Sequence, residues 1–169
     1  MDLRWLIIPI MMFVSVRISW AENVKDGKPL RTIAGKNWDW QQIKPGQVVL
    51  WHIWCPHCPP AIRAIPKLRN LHKKYHKDGL IIVAVTIKRG ENFPPLRPDV
   101  LRLRKRLAMP YVILLTTPQH AVFQRYPLNV FPTTYLLDAQ GKILHTFLGK
   151  PSPKEWTQLE TRIQHILGK

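Results

Sequence analysis

The chain has two cysteines, Cys55 and Cys58, separated only by Pro56 and His57. Two thiols at this spacing form a reversible dithiol/disulfide pair that can exchange with disulfides in other molecules. The attacking species in such exchange is the thiolate. Orphan backbone N–H groups and the dipole at a helix N-terminus stabilise it. Cys55 is expected at such a terminus, with Cys58 one turn further in and more shielded. That order makes Cys55 the attacking sulfur and Cys58 the resolving one. His57, when protonated, would stabilise the Cys55 thiolate further. Cys55, Cys58, His52 and His57 are also possible zinc or copper donors, but no second Cys-x-x-Cys or spaced histidine pair completes a site. No metal and no other cofactor is expected.

The elements around the pair can be read from hydrophobic patterning. Val48 to Trp54 is a continuous apolar run, hence a buried central strand, and Pro45-Gly46 is the turn before it. After Cys58, the residues Ile62, Ile65, Leu68, Leu71 and Tyr75 recur at helical spacing. Pro59 and Pro60 fall in the first turn, Pro66 should kink the helix, and Asp78-Gly79 ends it. Leu80–Ile87 is a second buried strand, 88–98 a loop, Asp99–Leu107 a helix and Tyr111–Leu115 a third strand. Gln119–Tyr126 is a short helix or turn. Thr133–Leu137 and Lys142–Leu148 form a hairpin around Asp138-Ala139-Gln140-Gly141. Ser152-Pro153-Lys154-Glu155 is a capping box that opens a last helix, with Trp156, Leu159, Ile163 and Ile166 on one face. Strands alternating with helices, then a hairpin and a helix, give an α/β fold with a mixed sheet. Trp51 and Trp54 suit packing, and Trp54 could also line the active-site surface. His52 reads as a strand residue with a satisfied ring. His72, His76, His120, His145 and His165 read as surface residues.

At 169 residues and 46% hydrophobic, the chain fits one globular domain. Its net charge of +16 favours acidic partners. The densest basic run is Arg102-Leu103-Arg104-Lys105-Arg106, where Leu101, Leu103 and Leu107 interleave as a buried helix face would. That run reads as a solvated helix face. No zinc finger, RNA-recognition signature or phosphate loop accompanies it, so nucleic acid is not an expected partner. At the N-terminus, Arg4 precedes the apolar stretch Trp5–Val16, and Ser19-Trp20-Ala21 offers a cleavage site. Residues 1–21 therefore read as a signal peptide or an uncleaved membrane anchor, and residues 22–169 as the domain. Residues 22–31 are a polar lead-in. Either reading puts the domain outside the cytoplasm, as in a periplasm.

Three blocks carry a family resemblance. They are Trp51-His52-Ile53-Trp54-Cys55-Pro56-His57-Cys58, then Phe131-Pro132-Thr133-Thr134-Tyr135-Leu136-Leu137-Asp138-Ala139-Gln140-Gly141-Lys142-Ile143, then Phe147-Leu148-Gly149. Over residues 30–167 the chain resembles the thioredoxin superfamily, and within it the periplasmic TlpA/ResA-type thiol-disulfide oxidoreductases. The resemblance implies a thioredoxin-like fold with an extra helix–strand insertion at 99–115. It implies a catalytic centre of Cys55, Cys58, His57 and Pro132, with Pro132 as a cis proline facing the cysteines. It also implies a substrate groove along Trp54, Pro56, Phe131 and Thr133, although Phe131 could equally belong to the core. Implied partners are proteins with cysteines or disulfides and a membrane redox partner, possible reductase work extending to cytochrome c maturation.

The chain also departs from that pattern. Arg63 stands where the family commonly has proline, Pro59 follows the second cysteine directly, and Val130 replaces a common glycine. No acidic residue occurs between Val48 and Lys77, so the buried proton-shuttling acid of many relatives is missing from its expected places. The Pro-His dipeptide is shared with strongly oxidising DsbA-type enzymes, whereas the architecture resembles that of reductases. The architecture covers more residues and favours a reductant. A DsbA-like oxidase, a copper-binding chaperone on the same fold and a non-enzymatic basic binding module are the alternatives.

Overall fold

The computed structural model describes residues 29–87 and 96–169. The leader, most of the lead-in and residues 88–95 of the expected loop lie outside the described residues. Seven strands form one sheet: β1 (Leu30–Thr32), β2 (Asn37–Trp38), β3 (Val48–Trp54), β4 (Leu80–Ile87), β5 (Val112–Thr116), β6 (Thr133–Leu137) and β7 (Ile143–Leu148). The helices are α1 (Pro59–Tyr75), α2 (Leu96–Arg106), α3 (Val122–Arg125) and α4 (Pro153–Ile166).

The strand order is β2-β1-β5-β4-β3-β6-β7. β3 runs parallel to β4, and β4 parallel to β5. Parallel neighbours need a crossover, and α1 and α2 supply the two crossovers. β6 pairs antiparallel with β3 and with β7, so the sheet is mixed as expected. All seven residues of β3 are buried, which explains why its sequence shows no polar alternation.

The sheet separates two cores. On one face Leu50 and Trp54 of β3 meet Ile65 and Leu68 of α1, Val100 and Leu103 of α2, and Leu159 and Ile163 of α4. On the other face Val49, Trp51 and Ile53 meet Val122 of α3 and an aromatic cluster of Trp38, Trp40, Tyr126 and Tyr135. Trp38 and Trp40 meet edge-on with centroids 5.6 Å apart, and the Trp40 indole N–H donates to the Ala139 carbonyl at 2.8 Å.

Four expectations change. The lead-in was expected to run to residue 31, but Leu30–Thr32 joins the sheet and pairs with Asn37–Trp38. These strands are too short to show a pattern, and Leu30 and Trp38 gain their burial from the aromatic face. The helix expected from Asp99 begins three residues earlier, at Leu96, which packs in the core. Its buried face is Leu96, Val100 and Leu103, and Leu101 is 44% exposed. Ile166 lies on the exposed side of α4, because Leu159 and Ile163 are the residues that reach the sheet. Pro66 sits inside α1, as the sequence places it. Gly79 caps the following turn at φ 118°, a backbone region open mainly to glycine.

Candidate functional site

β3 delivers the chain to the site, and α1 carries it away. The turn between them is closed by the Cys58 N–H, which donates to the Cys55 carbonyl at 3.2 Å. Cys58 is the N-cap of α1, with extended backbone angles, and its carbonyl accepts the first helical bond from Ile62 N–H at 3.1 Å. The pair is present as thiols, with no disulfide between them.

Two expectations about this turn are corrected. Cys55 does not stand at the helix terminus; it lies three residues before the N-cap, because α1 begins at Pro59. The exposure order is also reversed. Cys55 is 7% exposed and buried, whereas Cys58 is partly exposed. The end of β3 is sunk in the sheet, and the N-cap is the point where the chain emerges.

Pro59 and Pro60 occupy the first two helical positions. Proline has no N–H, so two of the donors that a helix terminus normally offers an anion are missing. A thiolate here gains less from the terminus than one facing a proline-free first turn.

Opposite the turn, the chain enters β6 through Phe131-Pro132, and the bond between these residues is cis. Ile53 is paired with Thr133, so the chain leaves β3 towards Cys55 beside the point where it enters β6. Three bonds brace this segment. The Thr133 hydroxyl donates to the Val130 carbonyl at 2.6 Å, the Gly149 N–H donates to the Pro132 carbonyl at 2.8 Å, and the Tyr135 hydroxyl donates to the Pro127 carbonyl.

Between the two segments lies an open cleft of about 540 Å³. His57, Cys58 and the two prolines form one wall, and residues 128–131 form the other. Phe131 lines it as expected. Trp54, Pro56 and Thr133 do not. Trp54 is fully buried in the core beneath α1, Pro56 is buried in the turn, and Thr133 is buried with its hydroxyl on the Val130 carbonyl. Pro132 is buried behind Phe131.

His57 projects outward with its side chain 54% exposed. Its Nε2 lies 3.3 Å from Oδ2 of Asp99, a residue of the first turn of α2. The other oxygen of Asp99 pairs with Arg102. No reading of the local sequence supplied this carboxylate. The available signal was that Asp99 is the only acid in the otherwise basic α2 segment.

His52 lies fully buried behind the site. Its Nδ1 is 2.9 Å from the Thr134 hydroxyl, and burial pushes its pKa down to about 3. The ring is therefore neutral at any pH where the thiols exchange. Its Nε2 is buried without a partner, so the expectation of a fully satisfied ring is half met. Of the histidines expected at the surface, His72, His120 and His145 are half-buried, and His72 stacks on His76 with centroids 4.7 Å apart. Among the described residues, no three His, Cys, Asp or Glu side chains converge as a metal site.

Known proteins share this fold and align along much of this sequence. A Bacillus subtilis protein named sporulation thiol-disulfide oxidoreductase A is 26% identical over 76% of this chain and 76% of its own length. Thiol-disulfide oxidoreductase ResA of Geobacillus thermodenitrificans is 31% identical over 67% of this chain and 61% of its own length. The crystal structure of a thioredoxin-family thiol:disulfide interchange protein from Chlorobium tepidum superposes with a TM-score of 0.66 at 20% identity, covering 83% of this chain and 94% of that one. The fold is thioredoxin-like, and the profile described as Redoxin matches residues 22–163, which places the chain in the Redoxin family.

Proposed function

We propose that this thiol-disulfide oxidoreductase acts outside the cytoplasm as a reductant of protein disulfides, with Cys55 and Cys58 as the exchanging pair. The observation that carries the reading is the cleft in which Cys58 and the head of α1 face the Phe131 segment. An extended substrate strand fits there, along the backbone that enters β6.

The exchange balances as follows. The Cys55 thiolate attacks one sulfur of the substrate disulfide; that S–S bond breaks, and the leaving sulfur takes up a proton. Cys55 is then joined to substrate in a mixed disulfide. Cys58, deprotonated in turn, attacks the Cys55 sulfur and releases the second substrate thiol. Two electrons pass to substrate, and Cys55–Cys58 is left oxidised. A dithiol protein at the membrane reloads the pair. The first attack is assigned to Cys55, despite its burial, because it follows β3 directly, the strand whose neighbour β6 begins at the cis Phe131-Pro132 bond. The donor-poor helix terminus supports the reducing direction, since a less stabilised thiolate favours giving electrons away. The apolar stretch 5–16 and the small residues near position 20 support export.

Trapping of mixed disulfides tests the assignment. Cys58→Ser should accumulate an adduct with a disulfide-bearing substrate protein, while Cys55→Ser accumulates none, and both should lose insulin-reducing turnover. Full turnover in either variant would remove the pair from the mechanism. An adduct formed only by Cys55→Ser would assign first attack to Cys58.

A further inference from the structure

The Pro-His dipeptide between the cysteines and the architecture pull in opposite directions. A histidine cation beside the pair stabilises the thiolate and hence the dithiol, which makes the disulfide form an oxidant. In this structure the His57 ring is engaged elsewhere. Its Nε2 is 3.3 Å from Asp99, on a helix that belongs to the second crossover rather than to the active-site turn.

We propose that Asp99 is a positioning residue for the redox pair: it holds the His57 ring against α2, keeping the Cys55–Cys58 couple reducing. The assignment rests on the reading of that pair as a working couple. Asp99 acts through His57, whose Nε2 it faces at 3.3 Å. Its placement suits the task. Val100 and Leu103 are buried in the core shared with α1, so α2 is a fixed platform for the carboxylate. Asp99 is itself only 20% exposed. Arg102, one turn on, pairs with the other oxygen of the same carboxylate and shares its charge with His57. Without Asp99, the His57 ring would be free to turn an N–H towards the thiolate, and the dithiol would be favoured. An exposed charge pair contributes modestly, so the shift should be about threefold in the equilibrium with glutathione. For a two-electron couple at about 29.6 mV per tenfold, that is about 14 mV towards oxidising.

The experiment equilibrates the full chain with glutathione buffers and reads the oxidised fraction by thiol alkylation. Asp99→Asn should shift the couple about threefold towards the dithiol, and Asp99→Glu should restore most of the wild-type position. In a His57→Ala background, Asp99→Asn should have no further effect. Arg102→Gln, which releases the carboxylate to His57 alone, should move the couple the other way. An unshifted Asp99→Asn couple would overturn the proposal, as would an equal shift in the His57→Ala background. A wild-type chain with no glutathione-titratable couple would instead overturn the underlying exchange reading, and this proposal with it.

Discussion

At the scale of single residues, the site combines groups that react with groups that are prevented from reacting. His52 is the clearest case of the second kind. It lies on β3 three residues before Cys55, yet burial lowers its pKa to about 3 and keeps it neutral. The sign of its effect on stability follows. Below about pH 6.5, the ordinary histidine value, the unfolded chain takes up a proton that the folded chain refuses, so stability falls as pH drops from there towards 3. One such group gives a slope of at most about 1.4 kcal/mol per pH unit. Denaturant unfolding at a series of pH values should show this acid loss in the wild type and a flatter profile in His52→Gln. Parallel profiles would show that His52 is not the titrating group. The cysteine pair was readable from its spacing alone, whereas the Phe131-Pro132 block was legible only through the family resemblance. Asp99 was not, because its partner His57 belongs to a different crossover and only folding brings the two together. Nor was the order of exposure of Cys55 and Cys58. It depends on where β3 ends and α1 begins, and the two prolines at 59 and 60 move that boundary past the second cysteine.

Elements with a strong local cause were legible, and those that depend on neighbours were not. β3, β4 and β6 match their apolar runs, since a strand buried on both faces needs no partner to reveal it. The start of α4 is as legible, because its cap is written in four residues. The Ser152 N–H donates to the Glu155 carboxylate at 2.7 Å, and the Glu155 N–H donates to the Ser152 hydroxyl at 3.3 Å. These bonds hold Glu155 below the usual carboxylate range. By contrast β1 and β2, of three and two residues, take their stability from the aromatic face they cover. The cap makes a direct prediction. Ser152→Ala should cost about 1 kcal/mol, read as a lower denaturant midpoint with an unchanged slope. The redox potential should not move, because α4 contributes nothing to the cleft between α1 and residues 128–131. A changed potential would mean that α4 communicates with the cysteines.

At the scale of the molecule, the excess positive charge has an uneven distribution. The net charge is +16. α1 carries Arg63, Lys67, Arg69, Lys73 and Lys74 with no acid, and α2 carries Arg97, Arg102, Arg104, Lys105 and Arg106 against Asp99 alone. Both helices pack on the same face of the sheet, so their exposed sides form one basic layer. Arg69 bridges them, its guanidinium donating to the Leu107 carbonyl at 3.3 Å. The cleft opens at the head of α1, at one end of that layer. A field of one sign beside a reactive site raises the local concentration of oppositely charged substrate and speeds encounter. Added salt removes the advantage, because the screening length falls from about 10 Å at 0.1 M to about 3 Å at 1 M. The reduced protein should therefore react faster with an acidic disulfide peptide than with a basic one of the same length at low salt. Raising the salt to 1 M should slow the acidic reaction about tenfold and bring the two rates together. Stopped-flow fluorescence can follow both reactions. Equal rates at low salt, or a salt effect common to both peptides, would mean that the basic layer does not steer substrates to Cys55 and Cys58.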